Sequence, residues 1–279
     1  MDKRQRKKRN KYVILFLILL LLVWGWTWKP VTEHIILPLF EEEGDNVRIA
    51  LITDLHSCYY GKNQQWLINR VMKEQPDLVI LSGDIYDNRL PDKNAQITIK
   101  RLAERFPTYY VTGNHEFWSG RAEQMKENAA ELGAQVLAGD CTMLSVGSRK
   151  LDICGVDDPT DMASSEWQQQ IRQAYEQTKE GHLRILVSHR PEKVFVYQQY
   201  DFDLVLAGHA HAGQFRIPFL NKGLFAPDQG FMAEYVNGVY PLQGESTMVV
   251  SRGLARETTP MPRFFNHPEV VILDITTKD

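Results

Sequence analysis

The chain has 279 residues, 43% hydrophobic and 24% charged, with a formal net charge of −3, a composition that excludes disordered and fibrous classes and leaves room for one large domain or two small ones. Charge is distributed unevenly: the first 30 residues hold eight Lys or Arg and one acidic side chain, leaving 24 Lys plus Arg against 34 Asp plus Glu beyond them. A body about ten units negative repels a polyanion over a Debye length of about 8 Å, and no basic run interleaved with aromatics offsets it, which argues against nucleic acid as the main substrate.

In chain order, the basic run "MDKRQRKKRNK" passes directly into "YVILFLILLLLVWGWTWKP". Residues 12–28 are 17 positions without a charge, which as a helix would extend about 26 Å at about 1.5 Å per residue, just enough for the hydrocarbon layer. Trp24, Trp26 and Trp28 suit one membrane interface. A cleaved signal peptide would have a shorter apolar centre and a small-residue exit, so the expectation is a retained anchor. The basic end stays on the cytoplasmic side, and the rest is extracytoplasmic. The expected organisation is a basic tail over 1–11, a transmembrane anchor over 12–28, a polar, proline-bearing stalk over 29–47 and a globular domain over 48–279.

From there short apolar runs alternate with amphipathic stretches. "VRIALIT", "DLVILS" and "TYYVT" read as strands, separated by helices over "NQQWLINRVMKEQ", with Trp66, Leu67, Val71 and Met72 on one side, and "DKNAQITIKRLAERF". "GRAEQMKENAAEL" is a further helix, "TMLSV" and "KLDICGV" a hairpin around Gly147-Ser148, and "SSEWQQQIRQAYEQT" a helix capped by Ser164 or Ser165. "LRILVS", "DLVLA", "TMVVS" and "VVILDI" add four strands, which together predict an α/β domain of packed sheets covered by helices. A two-residue hairpin loop would set Cys141 opposite Cys154, within disulfide reach; a four-residue turn would separate them. The third cysteine, Cys58, reads as a small packed residue.

Polar residues gather where the strands end: Asp54 and His56, Gly83-Asp84, Gly113-Asn114-His115, Ser188-His189, and His209 with His211 in a glycine-bracketed turn. Each alone has an ordinary reading as a cap, a turn or a hydrogen-bonded core histidine. Five of the eight histidines lie at such ends, however, and in open α/β sheets the carboxyl ends of strands share a crevice. One dinuclear metal site accounts for all five clusters together.

The ordered set D-x-H, G-D, G-N-H-E, a lone strand-end His and G-H-x-H resembles the calcineurin-like metallophosphoesterase superfamily over roughly residues 47–276. The tail "SRGLARETTPMPRFFNHPEVVILDI" looks like the bacterial branch of exported or membrane-anchored phosphodiesterases. The resemblance implies a four-layer α/β/β/α sandwich and two divalent metals. Asp54, His56 and His211 would hold one metal, Asn114, His189 and His209 the other, and Asp84 both. The nitrogen and oxygen donors suit manganese, iron or zinc without choosing among them. The implied reaction is phosphoester hydrolysis, a phosphodiester more than a monoester, by hydroxide activated between the cations. His115 would be the general acid and Asp87 its orienter, with Glu116 the runner-up for that place or simply solvated.

Arg89 is a candidate phosphate contact, although Asn88 separates it from Asp87 where some relatives place Arg directly. "GHAHAG" carries Ala212 where the branch often has Gly. "FRIPFLNKGLFAPDQGFM", broken by glycine and proline, reads either as a loop over its own small core or as an acyl-chain groove lined by Phe215, Phe219, Leu220, Leu224 and Phe225. The second reading makes the substrate a phosphoester on a lipid or envelope component, within the reach of a stalk no longer than about 60 Å. Two other functions stay open: a catalytically weak surface binding protein with a retained metal site, and an extracellular nuclease. The sequence sets no oligomeric state.

Overall fold

In the computed structural model, which describes residues 3–216, 223–256 and 262–278, the chain begins with helix α1 (Lys3–Gly25) and then enters the folded body at once. Strand β1 (Val31–Phe40) follows, where the sequence predicts a stalk. It is the edge strand of a sheet and pairs in parallel with the last strand of the chain, from Val31 opposite Glu269 to Phe40 opposite Thr277. Leu37 and Phe40 are buried. The proline that suggested a stalk, Pro38, is tolerable on an edge strand.

The remaining strands are β2 (Val47–Ile52), β3 (Leu78–Ser82), β4 (Thr108–Val111), β5 (Gln135–Val136), β6 (Asp140–Val146), β7 (Arg149–Gly155), β8 (Leu183–Val187), β9 (Leu204–Ala207), β10 (Phe225–Ala226), β11 (Gly230–Phe231), β12 (Gly238–Pro241), β13 (Thr247–Val250) and β14 (Glu269–Thr277). They form two six-stranded mixed sheets, ordered β1-β14-β2-β3-β4-β5 and β12-β13-β9-β8-β7-β6, and the small hairpin β10–β11. Strands β2, β3 and β4 run parallel in the first sheet, as do β7, β8, β9 and β13 in the second.

Alternation along each strand explains the layering. On β2, Ile49 and Leu51 face the second sheet, where they meet Ile153, Ile185 and Leu206. Ala50 and Ile52 face helices α2 (Gln65–Glu74), α3 (Lys93–Ala103) and α5 (Ala122–Glu131). Both faces are buried, so the strand reads as a continuous apolar run. Helices α6 (Ser164–Glu176) and α7 (Val194–Tyr197) cover the outer face of the second sheet through Trp167, Ile171 and Tyr197. The order is helix, sheet, sheet, helix, as the resemblance implies. Helix α4 (Asn114–Trp118) is a single short turn at the end of β4.

Three local expectations need correction. The buried face of α2 is Leu67, Ile68 and Val71; Trp66 lies outside it, 61% exposed, against Tyr59. Ser164 is the first helical residue of α6 rather than its cap, and Ala163 precedes it without a capping side chain. Helix α1 ends at Gly25, whose carbonyl accepts the Phe265 N–H, so its apolar part is shorter than residues 12–28. No helix of the described residues is long and apolar enough to cross a membrane. The β6–β7 hairpin turns on two residues, Val146 opposite Arg149, and so sets Cys141 opposite Cys154. The two form a disulfide with a Cα separation of 4.0 Å, while the buried Cys58 takes no part in a disulfide and its Sγ accepts the Arg256 N–H.

Candidate metal centre

Because the central strands of both sheets run parallel, their carboxyl ends share one pole. Strand β2 delivers Asp54 and His56 there, β3 delivers Asp84 and Asp87, β4 leads into Asn114 and His115, β8 into His189, and β9 into His209 and His211. All seven candidate ligands are buried. Ligand atoms of Asp54, His56 and His211 lie within 4.8 Å of one another; so do those of Asp84, His189 and His209, and those of His56, Asp84 and His115. Asp84 is the hinge between the groups: its Oδ2 is 3.2 Å from His189 Nε2 and 3.6 Å from His56 Nε2. Asp54 Oδ1 is 3.8 Å from both His189 Nε2 and His211 Nε2.

The donors fit a pair of cations on the structure's own terms. His56 Nε2, Asp84 Oδ2, Asn114 Oδ1 and His189 Nε2 are buried without a hydrogen-bond partner. A buried polar atom left without a hydrogen bond costs roughly 1–3 kcal/mol, and three of these four, on His56, Asp84 and His189, belong to the ligand groups that meet at Asp84, where Asp84 Oδ2 and His189 Nε2 face each other as an ion pair. The electrostatics agree. Burial works against the Asp84 carboxylate, but the charges of His189, His56 and His115 overcome it and hold Asp84 well below its usual range. Burial lowers His189, yet Asp84, Asp54 and Asp158 push it up to about 10, a proton that a bound cation would replace.

The backbone is strained at the same place. Asp54, His56, Asp84, His209 and His211 have φ of 50°, 48°, 52°, 63° and 46°, a left-handed conformation that costs a non-glycine residue roughly 1–3 kcal/mol. The turn holding His209 and His211 is bracketed by Gly208 and Gly213. Gly213 has φ 69°. Gly208 serves close approach instead: a Cβ there would lie 2.6 Å from Asp54 Oδ2, whose carboxylate accepts the His209 N–H.

His115 lies at the mouth, its side chain 20% exposed, with Nδ1 3.2 Å from Asp87 Oδ2. That oxygen is hydrogen-bonded to His56 Nδ1, also at 3.2 Å, and the other Asp87 oxygen accepts the N–H groups of Arg89 and Leu90. Asp87 therefore aligns His56 through a hydrogen bond and faces His115 as an ion partner outside hydrogen-bond alignment. Burial lowers His115, Asp87 together with the charge of Asp84 raises it, and the net direction is upward. Glu116 is neither solvated nor an orienter of His115. Its buried carboxylate accepts the N–H groups of Asp84, Ile85, Tyr86 and Gly113 and the Tyr110 hydroxyl, which staples the loop after β3 to the loop after β4.

Arg89 is exposed, and the part of it that reaches the cluster is its backbone N–H. Phe215 is half-buried against Phe264, and Phe225 is exposed against Phe231. Phe219 and Leu220 lie outside the described residues.

Sequence reasoning missed the supports of the histidines. Arg190 Nε and Nη2 grip Asp158 at 2.6 and 3.0 Å, and Arg190 Nη1 lies 3.1 Å from His209 Nε2. The same His209 nitrogen lies 2.8 Å from Asp228 Oδ2, and Asn266 Nδ2 donates to the His211 carbonyl at 2.7 Å. Partners of this kind fix ring orientation in metal-binding histidines. The available signal was "GVDDP", a sixth polar strand end after β7, hidden because that strand read only as half of a hairpin.

Residues 47–213 match the calcineurin-like phosphoesterase family. An uncharacterized metallophosphoesterase of Campylobacter jejuni is 30% identical over 239 residues, 84% of this chain and 60% of that protein, so this chain spans less than two thirds of its length. The Escherichia coli phosphodiesterase YaeI is 27% identical over 248 residues, 86% of each chain. A crystal structure of a Thermus thermophilus protein superposes with a TM-score of 0.50 at 12% identity, covering 74% of this chain and 89% of that one, a likeness of fold.

Proposed function

We propose, from the premise that this chain belongs to the calcineurin-like phosphoesterase family, that it is a membrane-anchored phosphodiesterase acting on a lipid- or envelope-linked phosphoester. The family makes it a metal-dependent phosphoester hydrolase that uses two divalent metals. The observation that carries the reading is that His56, Asp84 and His189, each with a buried atom that has no hydrogen-bond partner, lie in ligand groups that meet at Asp84. Asp54, His56 and His211 would hold one cation, Asn114, His189 and His209 the other, and Asp84 both. When bound, the cations make hydroxide available near neutral pH and neutralise charge on the phosphoryl oxygens.

The chain's own residues supply the rest. With Nδ1 turned to Asp87, His115 has Nε2 as the ring nitrogen that can reach substrate, donating first to a phosphoryl oxygen and then to the departing one. Asp87 favours the imidazolium needed for that donation. Glu116 keeps the Asp84 and Asn114 loops in mutual register.

Preference for a diester is supported by the likeness to YaeI. Anchoring is supported by the basic run and by the exposed Tyr12, Leu15, Phe16, Leu19 and Val23 of α1. So short a span is accommodated by local thinning and by snorkelling of the basic side chains. The positive-inside rule then puts the body outside the cytoplasm. The test is turnover by the metal-loaded full-length chain in vesicles on four substrates: a small chromogenic phosphodiester, the matching monoester, single-stranded DNA and a phospholipid ester. The reading expects the diester to exceed the monoester, DNA to be resistant and the lipid to be cleaved. Cleavage of DNA alone, or of nothing, would overturn it.

A further inference from the structure

The end of α1 and the metal pocket meet at the same pole of the fold. Trp26 pairs with Phe264, and the Thr27 hydroxyl donates to the Asn266 carbonyl at 2.7 Å. Asn266 in turn donates to the carbonyl of His211, so a single residue stands between the segment leaving α1 and a candidate ligand. Strand β1 then leads away from this pole for ten residues, about 33 Å at 3.3 Å per residue, ending beside Thr277. The long stalk expected from the sequence is therefore replaced by direct docking beside the pocket.

The same pole exposes a run of apolar side chains. Phe264 pairs with Phe215 as well as with Trp26, the Leu224 N–H donates to the Phe215 carbonyl, and the Met232 N–H to the Leu224 carbonyl. Hairpin β10–β11 is thus joined through main-chain pairings to the segment on which α1 docks. Trp26, Leu224, Phe225, Phe231 and Met232 are all exposed, Phe231 at 76%. A contiguous apolar rim of this kind marks an interaction surface. Its continuity with the exposed apolar side chains of α1, and its tryptophan, point to the layer where amphipathic rings settle at a membrane.

We propose that this rim seats in the headgroup layer of the bilayer, so that the pocket opens at the membrane plane and takes a phosphoester carried at headgroup level. The inference rests on the anchored reading above and goes beyond it by fixing which pole faces the lipid. The full-length chain carrying Phe231→Cys, labelled with an environment-sensitive fluorophore, is reconstituted into vesicles of zwitterionic and anionic phospholipid, some of it spin-labelled near the headgroup. Glu245→Cys is the control, since Glu245 pairs with Lys278 at the far end of β14.

The proposal expects the protein to float with the vesicles, the label at 231 to shift to the blue and be quenched by the spin-labelled lipid, and the label at 245 to do neither. Flotation with a water-exposed label at 231 would overturn the inference and leave anchoring standing. A blue shift without lipid quenching would mean that protein, such as a second copy, covers the rim, and would also overturn it. Failure to float would remove the anchored reading itself.

Discussion

The core between the two sheets and the pole above it are built on opposite terms. Between the sheets, Ile49, Leu51, Ile80, Ile153 and Leu206 are fully buried, and each adds apolar burial at no polar cost. At the pole, Asp84 Oδ2, Asn114 Oδ1 and the Nε2 atoms of His56 and His189 are buried without a hydrogen-bond partner, and five candidate ligands are held in left-handed backbone. The core is arranged for stability, whereas the pole holds strain that the core sustains. Substitutions should therefore separate cleanly into those that cost activity and those that cost folding.

The largest effect belongs to the shared carboxylate. Asp84→Ala should lose bound metal and all measurable turnover, with elemental analysis as the check; retention of two metals per chain would break the contrast. His115→Ala should keep both metals and lower turnover by roughly 10²–10⁴ on a diester with a poor leaving group, and full activity there would remove His115 from the chemistry. In the core, Leu51→Ala should cost about 2–5 kcal/mol of unfolding free energy while metal content stays the same, as denaturant titration with metal analysis would show. Asp228→Asn weakens a support of His209, and chelator competition should find metal affinity lowered roughly tenfold with folding unchanged. Smallest of all, Ala212→Gly relieves a residue at φ 50° and should raise stability by about 0.5–1 kcal/mol in thermal unfolding. A loss at that position would mean the turn is not strained.

The same contrast governs how much was legible in the sequence. Runs such as "VRIALIT" and "LRILVS" declare strands through uniform apolarity, and the polar clusters that follow them declare a shared pole, because parallel strands leave no other place for their ends. Strand β1 was not legible: "VTEHIILPLF" mixes charge and proline, and its place depends on pairing with β14, which lies more than 200 residues away in sequence. Glu116 was misread because three of its five donors, the N–H groups of Asp84, Ile85 and Tyr86, come from the loop after β3, some 30 residues away, which meets it only in the fold. Arg190 and Asp228 were missed because a support acts through a neighbour in space and leaves no local spacing to read, and Asp158 because its polar strand end was hidden in a strand read only as half of a hairpin. The end of α1 was misplaced because docking of Gly25 and Trp26 on residues 264–265 stops the helix before the apolar run ends.

The central claim is that Asp84 joins two cation sites held by the other six strand-end residues. Anomalous diffraction from crystals of the metal-loaded protein tests it most directly. The account predicts two peaks flanking Asp84, one among Asp54, His56 and His211 and the other among Asn114, His189 and His209. A single peak, or peaks away from Asp84, would contradict it.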